Sequence, residues 1–433
     1  MKEKFLHYLW RYKLLLHSKL ITSHNERISV INSGVYNMNS GPDFLNAKIE
    51  IDGQLWVGNI EIHVKASDWY LHHHENDTNY DAVILHVVWE NDADIYMKNN
   101  QPIPTLELKN RVDPEILNNY RELYANNLNW IACENQIGEI DSFLIENWLE
   151  RLYFERLENK ATIILSLLKE TNNDYEAVLF QMLAKNFGLK VNGEAFLKLS
   201  KSFGFKILRK VRQDKVSLAA LMFGQAGFLN EDEENSYFKK LSKEFEYMKH
   251  KYELKPISKN HFQFFRMRPN NFPTVRIAQL IALYSKHQNL FAELIRETEI
   301  DRIYDVFDIT LDSFWKSHYT FRKESKKSSK KLSKSFVDLL VMNTIIPLKF
   351  VYLKEKGNLN PDELLEIMKS LKPERNSIIS KFEKMNITSE NSFKTQALLE
   401  LKNNYCNLKR CLDCAIGSDL LKKNSKYVNY IYN

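Results

Sequence analysis

The stretch that decides the fold is GPDFLNAKIEIDGQLWVGNIEIHVKASDW, residues 41–69. Alternating apolar and polar residues flank Asp52-Gly53, and a two-residue Asp-Gly loop between such segments is a strong sign of a β-hairpin. On the second predicted strand Glu61, His63 and Lys65 share one face, and apolar residues share the other. An acid, an imidazole and an amine are costly to bury without partners. That face is therefore either solvated or a functional site.

The rest of the chain changes from strand patterns to helical patterns. Residues 2–15 have helical periodicity, and three further segments are typical of strands: RISVINSG, DAVILHVVWEND and IPTLELK. From residue 138 onward, apolar residues recur at helical spacing. We therefore predict an α+β protein, with a mixed-sheet α/β domain over residues 1–137 and an all-helical domain over residues 138–433. A break near 316–334 would divide the helical domain in two.

Composition sets limits on the class of protein. The 433 residues are 44% hydrophobic and 27% charged, as in soluble globular proteins. The net charge of +6 is compatible with DNA or RNA as a partner but does not require it. His7, Arg11 and Lys13 interrupt the apolar residues at the start, unlike a secretory signal. With no uncharged apolar run of about 18 residues and only four cysteines, we expect a cytoplasmic protein with no membrane span.

Asp43 is the second acid of interest in the opening stretch. It follows Gly41-Pro42, a combination that can present a carboxylate at the edge of a sheet. The predicted hairpin can bring Asp43 back toward Glu61 on the next strand. Two neighbouring carboxylates repel each other unless a cation bridges them, and Mg²⁺ or Mn²⁺ is suited to oxygen ligands.

This arrangement resembles the PD-(D/E)XK nuclease superfamily. The resemblance implies a restriction-endonuclease-like core in which Asp43 and Glu61 bind the metal and a lysine two residues further on assists catalysis. His63 stands where that lysine is expected, and Lys65 lies one step further on the same face. The implied catalytic set is therefore Asp43, Glu61, His63 and Lys65.

A longer resemblance extends over nearly the whole chain. The segments that carry it are GPDFLNAKI, GNIEIHVKASDW, YDAVILHVVWEND, RMRPNNFPTVRIAQL and CNLKRCLDCAIG. Together they resemble an uncharacterised bacterial family, domain of unknown function 2851 (DUF2851), and this resemblance brings no established activity.

A histidine-rich segment follows the hairpin. Asp68, His72, His73 and His74 precede a strand that contains His86, and imidazole is a good ligand for Zn, Mn or Fe. The alternative is a polar loop whose histidines face water. His86 lies on an otherwise apolar strand face and needs a partner, for which Asp68 and His74 are the first candidates.

The cysteines form a second candidate metal site. Cys406, Cys411 and Cys414 are spaced C-x4-C-x2-C near the end, and Cys133 is the fourth. Four thiolates could bind Zn²⁺ or an iron–sulfur cluster. On one continuous helix Cys406 and Cys411 would point about 140° apart, so a shared metal requires a helix end or a turn between them. The alternative is that buried thiols pack as small apolar groups.

Two segments of the helical half carry concentrated positive charge. Arg266, Arg268 and Arg276 alternate with phenylalanines over residues 261–280, which could bind phosphates and stack on bases or simply fill a core. Residues 316–334 hold eight Lys or Arg and one Glu. This stretch is either a solvated, mobile loop or a loop that contacts phosphates.

Three functions are compatible with these patterns. The first is a metal-dependent nuclease, or a nuclease-derived protein that binds nucleic acid. The second is a non-enzymatic interaction scaffold in which the polar strand face is structural. The third is a hydrolase that uses a histidine–aspartate metal site on a small substrate.

Overall fold

Six strands between residues 28 and 107 form one mixed β-sheet in the computed structural model of the chain, which describes residues 1–16, 20–125, 129–230 and 233–425. The spatial order is β1-β3-β4-β5-β6, and β2 pairs with β3. The pairs β1–β3 and β3–β4 are antiparallel, whereas β4–β5 and β5–β6 are parallel. The strands are β1 (Ile28–Asn32), β2 (Val35–Tyr36), β3 (Phe44–Ile51), β4 (Gln54–Lys65), β5 (Val83–Glu90) and β6 (Thr105–Glu107).

The Asp-Gly loop forms the hairpin that the sequence predicts. Asp52 and Gly53 both have positive φ, 46° and 84°, as the favoured two-residue hairpin turns require. Ile51 pairs with Gln54 across this turn. Because the turn fixes the register, Glu61 lies on the buried half of β4.

Two helices and a crossover flank the central strand. Helix α1 (Glu3–Arg11) packs against β4 and buries the residues from Phe5 to Trp10. The parallel connection from β4 to β5 carries the short helix α2 (Asp68–Leu71) and the histidine-rich segment. Trp69 and Tyr80 anchor this crossover in a small apolar cluster with Val83 and Val88. The crossover therefore lies over the half of β4 that bears Glu61 and His63.

Beyond residue 140 the described residues form helices, with one isolated bridge between His318 and Glu324. The predicted order, strands first and helices afterwards, is confirmed.

The helices after β6 are α3 (Pro114–Ala125), α4 (Ser142–Glu170), α5 (Tyr175–Phe187), α6 (Leu189–Lys201), α7 (Phe205–Val211), α8 (Lys215–Gln225), α9 (Ser236–Tyr252), α10 (Pro273–Lys286), α11 (Leu290–Arg296), α12 (Ile300–Val306), α13 (Ser313–Lys316), α14 (Lys334–Leu340), α15 (Ile346–Glu355), α16 (Pro361–Ser370), α17 (Ser377–Lys384), α18 (Ser392–Glu400) and α19 (Ala415–Lys422). Single π-helical turns follow α14 and α18, at Val341–Ile345 and Leu401–Cys406.

The chain divides into two compact units. The first comprises Met1–Trp148, Lys384–Ile387 and the described part of Glu400–Asn433. The second comprises Leu149–Glu383 and Thr388–Leu399. The end of the chain, which sequence analysis assigns to the helical domain, thus belongs to the unit that contains the sheet. The second unit continues through residues 316–334 without a division.

Six of the eight Lys and Arg in the basic stretch 316–334 are exposed, as in a solvated loop, but Lys330 anchors the stretch. Lys330 is buried, and its ammonium donates hydrogen bonds to the carbonyls of Trp315 and Lys316 at 2.7 and 2.9 Å. Its own carbonyl accepts a hydrogen bond from Gln279. These contacts tie the stretch to the second unit, because a buried ammonium needs acceptors that the loop backbone supplies.

One described helical segment, Lys334–Glu355, is long and apolar enough to cross a membrane by length and composition alone. Sequence analysis does not anticipate such a segment. Within its most apolar window, 78% of the residues are buried inside the protein, as in the core helix of a globular fold.

Candidate metal centre

Asp43 and Glu61 meet at the edge of the hairpin, as sequence analysis predicts. The Glu61 carboxylate accepts a hydrogen bond from the backbone N–H of Asp43 at 3.2 Å. In return, the Asp43 carboxylate accepts one from the backbone N–H of Ile62 at 3.0 Å. Each carboxylate is therefore hydrogen-bonded to a backbone N–H of the other acid or of the residue next to it. This reciprocal pairing holds both side chains at one point of the sheet.

Two histidines lie against the Glu61 side chain, and a third, the exposed His72, contacts His63. The Nε2 atoms of His63 and His74 lie 3.4 and 3.3 Å from Glu61 Oε1. His63, His72 and His74 each offer a ring nitrogen, and these three atoms lie within 4.8 Å of one another. His63 comes from β4, whereas His72 and His74 come from the crossover. The group offers a carboxylate and three imidazoles, a donor set suited to Mn, Fe or Zn.

His86 lies behind this group on β5. Its Nε2 atom is 2.8 Å from Nδ1 of His63, and its ring is fully buried. Metal-binding histidines commonly donate their second N–H to a fixed acceptor, which sets the ring's tautomer and orientation. His86 occupies that supporting position for His63.

Burial dominates the electrostatics of the centre. It raises the pKa of Glu61 to about 9, with the nearby Asp43 charge acting in the same direction. Burial also lowers the pKa of His63 to about 2 and that of His86 to about 3, and the neighbouring imidazoles contribute. Without a bound metal, these shifts leave His63 and His86 neutral and Glu61 protonated at neutral pH. A bound divalent cation would instead favour the deprotonated form of the Glu61 carboxyl group.

Two predicted site residues lie outside the group. Lys65 is at the exposed end of β4, where its ammonium is 4.0 Å from the carboxylate of Asp92. Asp68 and His74 were the first candidates for the partner of His86, but the ring nitrogen of His86 contacts His63 instead. The Asp68 carboxylate accepts a hydrogen bond from the backbone N–H of Lys65. This hydrogen bond joins the last residue of β4 to the first residue of α2 and so closes the turn between them.

Sequence analysis missed His7 and did not single out His72. His7 is buried on α1, with Nε2 3.3 Å from the Asp43 carboxylate and Nδ1 3.4 Å from the Tyr36 hydroxyl. A histidine within the apolar stripe of an amphipathic helix is the signal that could have identified it. The spacing along the chain does not reveal that α1 approaches Asp43.

A basic, tyrosine-lined cavity of about 240 Å³ opens beside His7 in the first unit. Its charged side chains are Lys2, Lys4, Arg11, Lys409, Arg410 and Asp413, and its tyrosines are Tyr8, Tyr12, Tyr36, Tyr120 and Tyr124. Cations with interleaved aromatic rings suit an anionic ligand that carries planar groups. Because His7 touches both the cavity and Asp43, the cavity adjoins the candidate metal centre.

The three arginines proposed for nucleic acid lie in the second unit and differ in exposure. Arg276 is buried, with its guanidinium 3.7 Å from the Phe336 ring and hydrogen bonds to Asn271 and Gln279. Burial lowers its pKa to about 10. Arg276 therefore serves the core, as the second interpretation of this segment holds. Arg268 and Arg276 line a cavity of about 400 Å³, and Arg266 lies over the ring of Phe265, which is exposed.

The four cysteines come together within the first unit. All four are free thiols and line one small cavity. The helical turn that contains Cys406 ends at that residue, and Lys409 has a φ of 51° before Cys411 starts a short 3₁₀ turn. The chain thus has a turn between Cys406 and Cys411, as a shared ligand would require.

A family described as "Protein of unknown function (DUF2851)" matches residues 3–377. The chain belongs to the DUF2851 family. The match covers the whole sheet, the crossover histidines and most of the helical region, but it ends before Cys406. No curated protein and no solved structure matches the chain.

Proposed function

We propose that this DUF2851 protein is a divalent-metal-dependent phosphodiesterase of the nuclease class, with a restriction-endonuclease-like first unit. The observation that carries the proposal is the group formed over the central strand β4 by the buried Glu61 and His63 with the partly exposed Asp43 and His74. Buried acids and imidazoles at this density are costly unless a ligand compensates them. Functional sites are where such shifted groups cluster.

The donor set indicates which residues would hold the ion. Glu61, His63, His72 and His74 would provide its ligands, and Asp43 would add a second carboxylate. A bound divalent ion acts as a Lewis acid on a phosphoryl oxygen and lowers the pKa of water. His7, 3.3 Å from Asp43 and on the wall of the basic cavity, is placed to exchange a proton with a ligand there.

The basic cavity supports a phosphodiester as the substrate class. Lys2, Lys4 and Arg11 attract phosphates, and the tyrosines can stack on bases. The cavity is a second candidate surface beside the exposed Arg266 and Arg268 of the helical half, where Arg276 is engaged in internal hydrogen bonds. The absence of a lysine at position 63 departs from the superfamily pattern: in this proposal His63, at the position of the catalytic lysine, is a metal ligand instead.

The test is cleavage of labelled double-stranded DNA, single-stranded DNA and RNA with Mg²⁺, Mn²⁺, Zn²⁺ or no added metal. We expect metal-dependent cleavage that Asp43→Asn abolishes. His73→Ala is the matched control, because His73 is exposed and lies between two proposed ligands. Metal-dependent binding without cleavage would indicate a nuclease-derived binding protein. If the protein neither binds nor cleaves nucleic acid, the proposal is overturned and the scaffold function is favoured.

A second candidate has a specific observation in its favour. Three imidazoles within 4.8 Å of one another suit a transition metal better than Mg²⁺. This donor set is also compatible with a hydrolase of small phosphoesters. Bis(p-nitrophenyl) phosphate separates the two functions: hydrolysis of this compound with intact nucleic acids would favour the small-substrate enzyme.

A further inference from the structure

The thiol cavity is separate from the histidine centre and needs its own explanation. It measures about 20 Å³ and is lined by Cys133, Cys406, Cys411 and Cys414. The chain has four cysteines in 433 residues, and all of them line this one cavity. No disulfide joins them. A space of this size holds about one water-sized species. Among the described residues only the histidine group has three or more ligand atoms within 4.8 Å of one another, so the four sulfurs would have to move closer together to share one ion.

The local backbone directs donors toward one of these sulfurs. Cys414 is the residue immediately before α19, and the backbone N–H groups of Ile416 and Gly417 interact with its sulfur. Gly417 is required here, because a Cβ at that position would lie 2.1 Å from the carbonyl oxygen of Cys411. The close approach of α19 to the 3₁₀ turn at Cys411 therefore depends on this glycine. Backbone N–H groups and a helix N-terminus both favour a thiolate.

The surroundings otherwise oppose ionisation. Burial raises the pKa of Cys133 to about 12 and that of Cys411 to about 11, and thiol neighbours act in the same direction on both. Four thiols that repel one another as anions would stay protonated in the empty cavity. A thiophilic cation weakens that opposition, because each thiolate binds it directly and its positive charge offsets part of the repulsion between them.

We propose that Cys133, Cys406, Cys411 and Cys414 form a structural site for a thiophilic metal, separate from the histidine centre. The ligand chemistry is tetrathiolate coordination, which a single zinc ion and an iron–sulfur cluster share. The site closes the first unit by joining the segment after α3 to the end of the chain. Sequence analysis expects this link to cross a domain boundary, whereas all four cysteines lie in one unit.

The experiment measures metal in purified full-length protein that carries His63→Ala and His74→Ala, so that the histidine centre cannot contribute. We expect either about one zinc per chain and no colour, or iron with acid-labile sulfide and visible absorption. Cys133→Ala and Cys411→Ala should each reduce the metal content several-fold. Ile137→Val, which trims another residue lining the same cavity, should leave the content unchanged.

A second measurement avoids variants that fail to fold. In the wild-type protein, the four thiols should resist alkylation until a chelator or an oxidant of iron–sulfur clusters is added. Absence of both metals after anaerobic supply of zinc or of iron and sulfide, together with unchanged alkylation on chelation, would overturn the proposal. These results do not depend on nuclease activity, so the two proposals can fail separately.

Discussion

The Nδ1 atom of His63 lies 2.8 Å from the Nε2 atom of His86, so two buried imidazoles share one hydrogen bond. Their pKa values are lowered by burial to about 2 and about 3, and both rings are neutral at physiological pH. When His63 donates its Nδ1 proton to His86, its Nε2 atom presents a lone pair toward Glu61 and His72. This tautomer is the one that binds a metal.

Replacing His86 tests whether it holds His63 in the tautomer that binds a metal. We expect His86→Leu to reduce the affinity for Mn²⁺ or Zn²⁺ by about 10- to 100-fold, the usual effect of losing a partner behind a metal ligand. His86→Gln, which retains a hydrogen-bonding group, should recover part of the affinity. Isothermal titration calorimetry measures both variants, with His73→Ala as the control. Equal metal affinity in the wild type and in His86→Leu would show that His86 does not contribute to the site.

Glu61→Gln separates the role of this residue in folding from its role in binding. Because the Glu61 carboxyl group is protonated at neutral pH in the metal-free protein, a neutral amide of the same shape should be tolerated. We expect the metal-free melting temperature at pH 7 to stay the same or to rise. The increase in melting temperature on adding metal should disappear. A large loss of stability without metal would show that the charged form matters for the fold.

The same residue predicts how stability depends on pH. Its pKa is raised from 4.5 to about 9, so the folded metal-free protein binds this proton more tightly than the unfolded chain does. The stabilisation is complete below pH 4.5 and is lost as the pH rises through 9. Denaturant unfolding of metal-free wild type should therefore show a decline over this window that Glu61→Gln lacks. Identical pH profiles for the two proteins would contradict the prediction.

The basic cavity predicts a salt-dependent contribution to DNA binding. Arg11 lies at the end of α1, with its guanidinium 5.5 Å from the Tyr12 ring and 5.7 Å from the Tyr36 ring. If it contacts a phosphate, Arg11→Ala should weaken DNA binding and reduce the slope of log affinity against log salt by about 1. Fluorescence anisotropy at several salt concentrations measures this slope. Lys48→Ala, an exposed lysine on β3, should leave it unchanged.

Replacing Arg276, unlike replacing Arg11, should affect stability and not DNA binding. Its hydrogen bonds to Asn271 and Gln279 and its contact with Phe336 are internal to the second unit. Arg276→Ala should lower the free energy of unfolding by about 1–3 kcal/mol, the usual scale for hydrogen bonds to a charged group. DNA affinity of the folded variant should not change. Weaker DNA binding at unchanged stability would return Arg276 to the nucleic-acid surface.

The sequence by itself determined the hairpin and the order of the elements. Asp52-Gly53 is a local signal, because two successive residues with positive φ suit this pair and few others. The change from period-2 to period-3.6 patterning likewise depends on neighbours in the chain, so the strand-to-helix order was predictable. The approach of Asp43 to Glu61 followed from the hairpin register, which pattern and turn specify together.

Only the tertiary structure decided which groups complete the site. His7 reaches Asp43 because α1 packs against β4, and His86 reaches His63 because β5 pairs in parallel with β4. Such contacts depend on the packing of elements distant in sequence, which local periodicity does not encode. The same reason explains Cys133, whose meeting with the C-terminal cysteines depends on the last helix returning to the first unit. Arg276 shows the same limit: its burial against Phe336 could not be predicted from the spacing of the arginines.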